Sequence, residues 1–221
     1  METTKDPVVE QWPLMSGPLP VLVIVSAYLY FVLSLGPRLM AERKPMKLQA
    51  VLVVYNFLQV VLSIFLAYTL SYGAWWYFFA KVTELLDTVF FVLRKKQNQI
   101  TFLHVYHHTI TVLFSWGYLR FIPGEQGIVI GFLNSVVHIV MYTYYMIAAM
   151  GPRFHKYLWW KKYMTWIQLI QFCLMMAYMM SLLASDCKLP RALTLFFMGN
   201  ATVFLVLFSD FYRKAYSKKQ N

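Results

Sequence analysis

A chain of 221 residues that is 60% hydrophobic and only 13% charged, with a mean hydropathy of +0.54, carries more apolar surface than one soluble core can bury. It reads as a polytopic membrane protein. The formal charge of +11 suggests nucleic acid at first sight, but the bases gather in the short stretches between apolar segments, which argues against that partner. Those segments consume nearly the whole chain, so the sequence predicts one domain over residues 1–221.

The amino-terminal stretch is acidic and proline-containing rather than basic and then apolar, and shows no cleavable signal peptide. Seven membrane helices are predicted: Leu19 to Leu35, Leu48 to Leu70, Ala74 to Leu93, Ile100 to Leu119, Gly127 to Ala149, Tyr163 to Ala184 and Ala192 to Ser209. In the second, Asn56, Gln59 and Ser63 recur at helical spacing and read as amides and a hydroxyl that bridge helices. The turn Ser71 to Gly73 makes spans two and three neighbours, and Trp75, Trp76 and Tyr77 stand where an aromatic belt belongs.

Span three carries Lys81, Glu84 and Asp87 near its middle, three residues apart and so on roughly one helix face. A lipid-facing charge costs about 2.5 to 3.5 kcal/mol on insertion scales, so this face must look into protein or water. After Arg94, Lys95 and Lys96, span four opens with His104, His107 and His108, again on one face. Asp87 lies seven residues before Arg94 and His107 eight after Gln99, which places both roughly 10 to 12 Å below the same surface. One reading is an ion-pair network that locks two helices together. The other, which six polar groups at matched depth favour, is a reaction site.

Span five repeats the pattern with Asn134, His138, Met141, Tyr142 and Tyr145 on one stripe, and span six adds Thr165, Gln168 and Gln171 after an interfacial corner of Trp159, Trp160, Lys161 and Lys162. Met175, Met176, Met179 and Met180 either fill irregular gaps, the preferred reading, or line a flexible apolar pocket, and Cys173 reads as an inert buried thiol. Cys187 has no second cysteine on its side of the membrane to pair with, and the sequon Asn200-Ala201-Thr202 falls inside span seven, out of reach of glycosylation. Arg38, Arg43, Lys44, Lys47, Arg94 to Lys96, Arg153, Lys156, Lys161, Lys162, Arg213, Lys214, Lys218 and Lys219 occupy alternate connections, fifteen of the twenty bases, whereas Arg120 is assigned to a loop on the opposite side. The positive-inside rule then puts the amino terminus in the lumen and the carboxyl terminus in the cytosol. Lys218 and Lys219 resemble a dilysine retrieval signal of the endoplasmic reticulum.

The HxxHH pattern suggests membrane di-iron chemistry, but such sites need more histidines than the five in this chain, and Lys81 would set a positive charge beside the cation. The expectation is no metal. A histidine cluster near buried carboxylates suits nucleophilic or general-base work, Asp87 could fix an imidazole tautomer, and the bases Arg94, Lys95, Lys96, Lys161 and Lys162 suit a phosphate-bearing donor.

The stretches KVTELLDTVFFVLRKK (81–96), LHVYHH (103–108), LNSVVHIVMYTYY (133–145), LWWKK (158–162), TWIQLIQF (165–172) and FSDFYRKAY (208–216) resemble the very-long-chain fatty acid elongases, the condensing 3-ketoacyl-CoA synthases of the endoplasmic reticulum. The resemblance spans segments three to seven nearly continuously. It implies an all-α inverted barrel of seven transmembrane helices around a narrow tunnel open to the cytosol, and condensation of acyl-CoA with malonyl-CoA to 3-ketoacyl-CoA, carbon dioxide and CoA, without cofactor. It implies His107 as the acyl-accepting nucleophile, His138 facing it, and His104 and His108 as orienting or proton-exchanging groups. Lys81, Glu84, Asn134, Met141, Tyr142, Tyr145, Gln168 and Gln171 would line the substrate path. Implied partners are acyl-CoA, malonyl-CoA, membrane lipid, a second copy, and the ketoacyl reductase, dehydratase and enoyl reductase of the same cycle. Two features depart from the family: the segment at Ser71 to Gly73 is curt and Cys187 is unpaired. A seven-helix lipid carrier is the alternative, although no repeat relates spans one to three with five to seven.

Overall fold

The computed structural model describes residues 7–69, 74–121, 126–185 and 191–217. Among them lie a short helix α1 (Pro7–Glu10) and seven long ones: α2 (Leu19–Met40), α3 (Gln49–Thr69), α4 (Ala74–Leu93), α5 (Phe102–Phe121), α6 (Gly127–Ala149), α7 (Lys161–Ala184) and α8 (Arg191–Tyr212). No strand occurs among the described residues. Five of these segments are long and apolar enough to cross a membrane, those beginning at Leu19, Gln49, Gly127, Lys161 and Thr194. The 20-residue helices α4 and α5 match the lengths of predicted spans three and four, but their charged and histidine side chains lower their hydropathy.

The boundaries differ from the sequence reading where local signals mislead. Predicted span one ends at Leu35, before Gly36-Pro37, yet the helix runs on to Met40 through a π turn at Phe31–Leu35, in which the Gly36 N–H donates to the Phe31 carbonyl. A π turn skips one step of the ladder, which is where a residue without an N–H costs least. Arg120 is not in a loop: α5 includes it and buries it to 8% exposure. Cys173 is exposed rather than buried, on an outward face of α7. The turn Ser71 to Gly73, Cys187, Lys218 and Lys219 lie outside the described residues.

The helices gather into two compact units. The first comprises α1, α2, α4 and α5. Its core consists of Val21, Val25 and Val32 of α2 against Phe78, Leu85 and Val92 of α4 and Val112, Trp116 and Leu119 of α5. Close approach of α2 to α4 depends on Gly36, where a Cβ would stand 2.6 Å from Val92 Cγ1. The Tyr28 hydroxyl shares a buried 2.8 Å hydrogen bond with Thr88 Oγ1 between the same helices. Helix α4 ends in a turn where Lys96 N–H reaches the Phe91 carbonyl and Lys95 takes φ +56°, and the chain after α2 is tied to it by Met46 N–H to the Leu93 carbonyl.

At the opposite end of this unit the segment before α2 is strapped down. Trp75 Nε1 donates to the Pro13 carbonyl at 3.0 Å, Trp116 Nε1 to Leu14 at 3.1 Å, and Arg120 to the Met15 carbonyl and, at 2.7 Å, to the Glu10 carboxylate. Met15 is fully buried beneath them.

The second unit comprises α3, α6 from Val129, α7 and α8. Helices α7 and α8 pack through Phe172 against Phe204 and Phe208, and through Trp166 Nε1 donating to the Tyr212 hydroxyl. Asn56 and Gln59 on α3 are buried, and their amides bond within that helix, Asn56 to the Leu52 carbonyl and Gln59 to the Tyr55 hydroxyl.

Candidate active site

In the first unit, helical spacing turns one face of α4 into a polar stripe: Lys81, Glu84, Asp87 and Thr88 are all buried, between 0 and 8% exposed. Lys81 Nζ meets Glu84 Oε1 at 2.8 Å one turn along and lies 4.9 Å from the centre of the Tyr77 ring. A bare buried charge is costly, and pairing within the helix offsets part of that cost before any neighbouring helix contributes.

The histidines stand at the start of α5, where the Thr101 hydroxyl caps the His104 N–H. Positions i, i+3 and i+4 bring the rings together, with centroids 4.4 Å apart for His104 and His108 and 5.3 Å for His107 and His108. His108 is buried to 5% exposure, while His104 and His107 are half-buried. Thr111 Oγ1 donates to the His107 carbonyl at 2.8 Å, so the backbone behind the ring is held from one turn further on. His104 Nε2 and His108 Nδ1 are buried without a hydrogen-bond partner among the described residues. An unsatisfied buried imidazole nitrogen is a cost that a purely structural histidine would avoid.

Helices α4 and α5 are antiparallel neighbours, and the rings of Phe91 and His104 touch with centroids 5.1 Å apart. One turn back along α4 from Phe91 lies Asp87, and one turn forward along α5 from His104 lies His108, so carboxylate and histidines share a depth.

The second unit carries its own polar stripe on α6. Asn134, Ser135, His138 and Tyr142 are buried. Asn134 Nδ2 lies 3.2 Å from His138 Nε2 on the next turn. An amide nitrogen only donates, so this contact presents the imidazole nitrogen as an acceptor. Tyr142 packs edge-on against His138 at 5.6 Å, against Tyr145 at 6.1 Å and against Tyr55 of α3 at 6.3 Å. Gln168 Nε2 points at Met141 Sδ from 3.6 Å, and Gln171 is buried with its amide 3.4 Å from Met175 Sδ. Lys161 and Lys162 are exposed in the first turn of α7. Of the other bases, Lys96 is exposed, Arg94 is half-buried, and Lys95 donates to the Ala41 carbonyl at 2.9 Å.

Among the described residues no group of three or more His, Cys, Asp or Glu side chains is arranged to hold a metal ion. Sequence reasoning missed the Tyr28 to Thr88 bond beside Asp87 and the Tyr55 ring beneath Tyr142, because both join helices far apart in the chain.

A family model described as GNS1/SUR4 matches residues 13–74 and 69–221. The chain is similar to very long chain fatty acid elongase 7 of Drosophila melanogaster, 43% identical over 247 residues that cover 99% of this chain and 75% of the relative. A very long chain fatty acid elongase of Aedes aegypti is 42% identical, covering 98% of this chain and 68% of its own length. For elongase 7 of Rattus norvegicus the identity is 41%, with 97% and 87% covered. The alignment to the fly protein is longer than the 221-residue chain itself, so that relative has residues this chain lacks, and the family match divides at 69–74, between α3 and α4.

Proposed function

The chain belongs to the GNS1/SUR4 (ELO) family of fatty acid elongation enzymes, and from that premise we propose that it catalyses the condensing step, acyl-CoA plus malonyl-CoA to 3-ketoacyl-CoA, carbon dioxide and CoA. The observation that carries the reading is the clustered imidazoles of His104, His107 and His108, at the depth of Asp87 and on the helix packed against α4.

In this reading a nitrogen lone pair of His107 attacks the thioester carbonyl. The C–N bond forms, the C–S bond breaks, and the thiolate of CoA leaves with the imidazole proton, passed through neighbouring His104 or His108. Malonyl-CoA then loses carbon dioxide, the electron pair of the broken C–C bond becomes an enolate, and the enolate carbon takes the acyl group from His107. The imidazole leaves and regains a proton from the site. Asp87 fixes the tautomer, and His138, oriented by Asn134, supplies the acid–base partner to the enolate. Lys81, Glu84, Met141, Tyr142, Tyr145, Gln168 and Gln171 line the acyl path, while Arg94, Lys95, Lys96, Lys161 and Lys162 meet the CoA phosphates.

Neither a metal nor a cofactor enters this reading. The reading also carries seven spans with the inverted barrel that the resemblance implies, endoplasmic reticulum residence, a lumenal amino terminus, and association with a second copy and with the other enzymes of the cycle. The lipid-carrier alternative is not favoured by relatives that are elongases. The deciding assay is release of carbon dioxide from radiolabelled malonyl-CoA by the purified chain given long-chain acyl-CoA. Release well above that of His107→Ala is expected, and none at any chain length ends the reading.

A further inference from the structure

Helices α2 and α5 leave an apolar groove of about 450 Å³ between them, lined by Leu29 and Leu33 of α2 and by Ile100, Phe102, Val105 and Tyr106 on or just before α5. Leu33 is 61% and Phe102 72% exposed, and the stacked rings of Phe102 and Tyr106, 5.5 Å apart, form one wall. In the seven-span reading proposed above, on which this inference rests, such exposure is contact with lipid. The strap orients the pair: Trp116 and Arg120, late on α5, reach Leu14 and Met15, just before α2, so the helices run antiparallel. Leu33 and Phe102 therefore mark the end of the groove where α2 finishes and α5 begins.

That end is basic. Arg38 follows Leu33 by five residues, roughly 7 to 8 Å of helix. Arg43, Lys44 and Lys47 come next, and Arg94, Lys95 and Lys96 precede Ile100, with Glu42 as the one acid in those two stretches. The Met46 N–H bond to the Leu93 carbonyl and the Lys95 Nζ bond to the Ala41 carbonyl hold the two basic stretches together. Arg38, Arg43, Lys44 and Lys96 are exposed.

We infer that the groove and its basic end form a binding site for an anionic glycerophospholipid of the surrounding bilayer, one acyl chain lying along Leu29, Leu33 and Val105 and the headgroup against Arg38, Arg43 and Lys44. The two halves select jointly. A zwitterionic lipid fills the groove but leaves the bases without net countercharge, and a soluble phosphate meets the bases but leaves the groove empty. Clusters of bases beside a membrane helix attract anionic headgroups in this way.

The test uses the full chain in nanodiscs doped with phosphatidylserine carrying a diazirine on its acyl chain, against phosphatidylcholine with the same label. Labelling of residues 100–109 by the serine lipid is expected to exceed that by the choline lipid by roughly fivefold for each engaged base. Leu33→Trp, which fills the groove from an exposed position, should lower labelling of that stretch by either lipid. Replacing Arg38, Arg43 and Lys44 together by Gln should erase the preference and spare the choline signal. Equal labelling by the two lipids in the parent chain, insensitivity to Leu33→Trp, or full displacement by millimolar inorganic phosphate would each overturn the inference. Elongation activity in each variant reports folding, since none of these four residues belongs to the proposed reaction site.

Discussion

The ring of Phe91 on α4 rests against the ring of His104 on α5 with centroids 5.1 Å apart, and this contact sets the register between the carboxylate helix and the histidine helix. A slip of one turn would shift Asp87 by about 5.4 Å against the imidazoles. Phe91→Ala is expected to lower turnover while leaving the chain folded, because Phe91 is only half-buried and its loss mainly releases the register. The measurement is turnover beside the thermal unfolding midpoint. A fall in the midpoint that fully accounts for the lost activity would mean that Phe91 merely packs.

Gly36 makes a harsher test of the same bundle. A methyl group there would sit 2.6 Å from Val92 Cγ1 and 2.8 Å from the Phe31 carbonyl, and Val92 is fully buried. Gly36→Ala should destabilise the first unit by about 1 to 3 kcal/mol, the range for overpacked cores. Adding Val92→Ala should restore part of the loss but not all, because the Phe31 carbonyl is backbone. Full restoration in detergent melts would exclude a backbone clash.

Removing Arg120 should free the strap. Arg120→Met deletes donors to Glu10 and to the Met15 carbonyl, and with one ion-pair partner part-exposed the expected cost is about 1 to 3 kcal/mol. Faster proteolytic cleavage before Leu19 is the expected signature, with Trp116→Phe, which forfeits the single bond to Leu14, giving a smaller change. Unchanged cleavage in both variants would show that packing of Met15 suffices.

What was legible in the sequence follows from how far each signal reaches. The limits of α4 and α6 coincide with the predicted spans because hydropathy is a local property, and the stripes of Lys81, Glu84 and Asp87 and of Asn134, His138 and Tyr142 are buried as helical periodicity requires. Arg120 was misassigned because a charge at the edge of an apolar run looks like a loop, and its partner Glu10 is 110 residues away. Predicted span one ends at Leu35, just before Gly36-Pro37, whereas the π turn carries α2 on to Met40. Asn56 was legible as buried but not as bonding to the Leu52 carbonyl of its own helix, since amide partners depend on side-chain torsions that spacing does not encode.

If the histidines act without metal, turnover should survive EDTA and other strong chelators, and elemental analysis of active protein should find no stoichiometric iron or zinc. Iron at one or two atoms per chain, lost together with activity, would reverse the assignment of His104, His107 and His108 from catalysts to ligands.

The order of substrates is the sharpest consequence of the proposed chemistry. Both substrates carry a CoA group, and in the proposed reading the narrow path with one cytosolic mouth has no room for two. The acyl group must then be parked on the protein, CoA released, and malonyl-CoA admitted afterwards, which is the ping-pong order of covalent catalysis. Cys173 is exposed on an outward face of α7, which does not suit an acceptor, whereas His107 is half-buried beside the His108 imidazole. Acyl-CoA alone should therefore release about one equivalent of CoA and add the acyl mass to a peptide containing His107. His107→Ala should abolish the adduct and lower turnover by at least about a hundredfold. Asp87→Asn should slow adduct formation without preventing it if the carboxylate sets the imidazole tautomer, by analogy with the serine-protease triad. Initial-rate plots at varied concentrations of both substrates should be parallel. Intersecting lines with no acyl-enzyme in the mass spectrum would instead assign His107 the role of general base in a ternary complex.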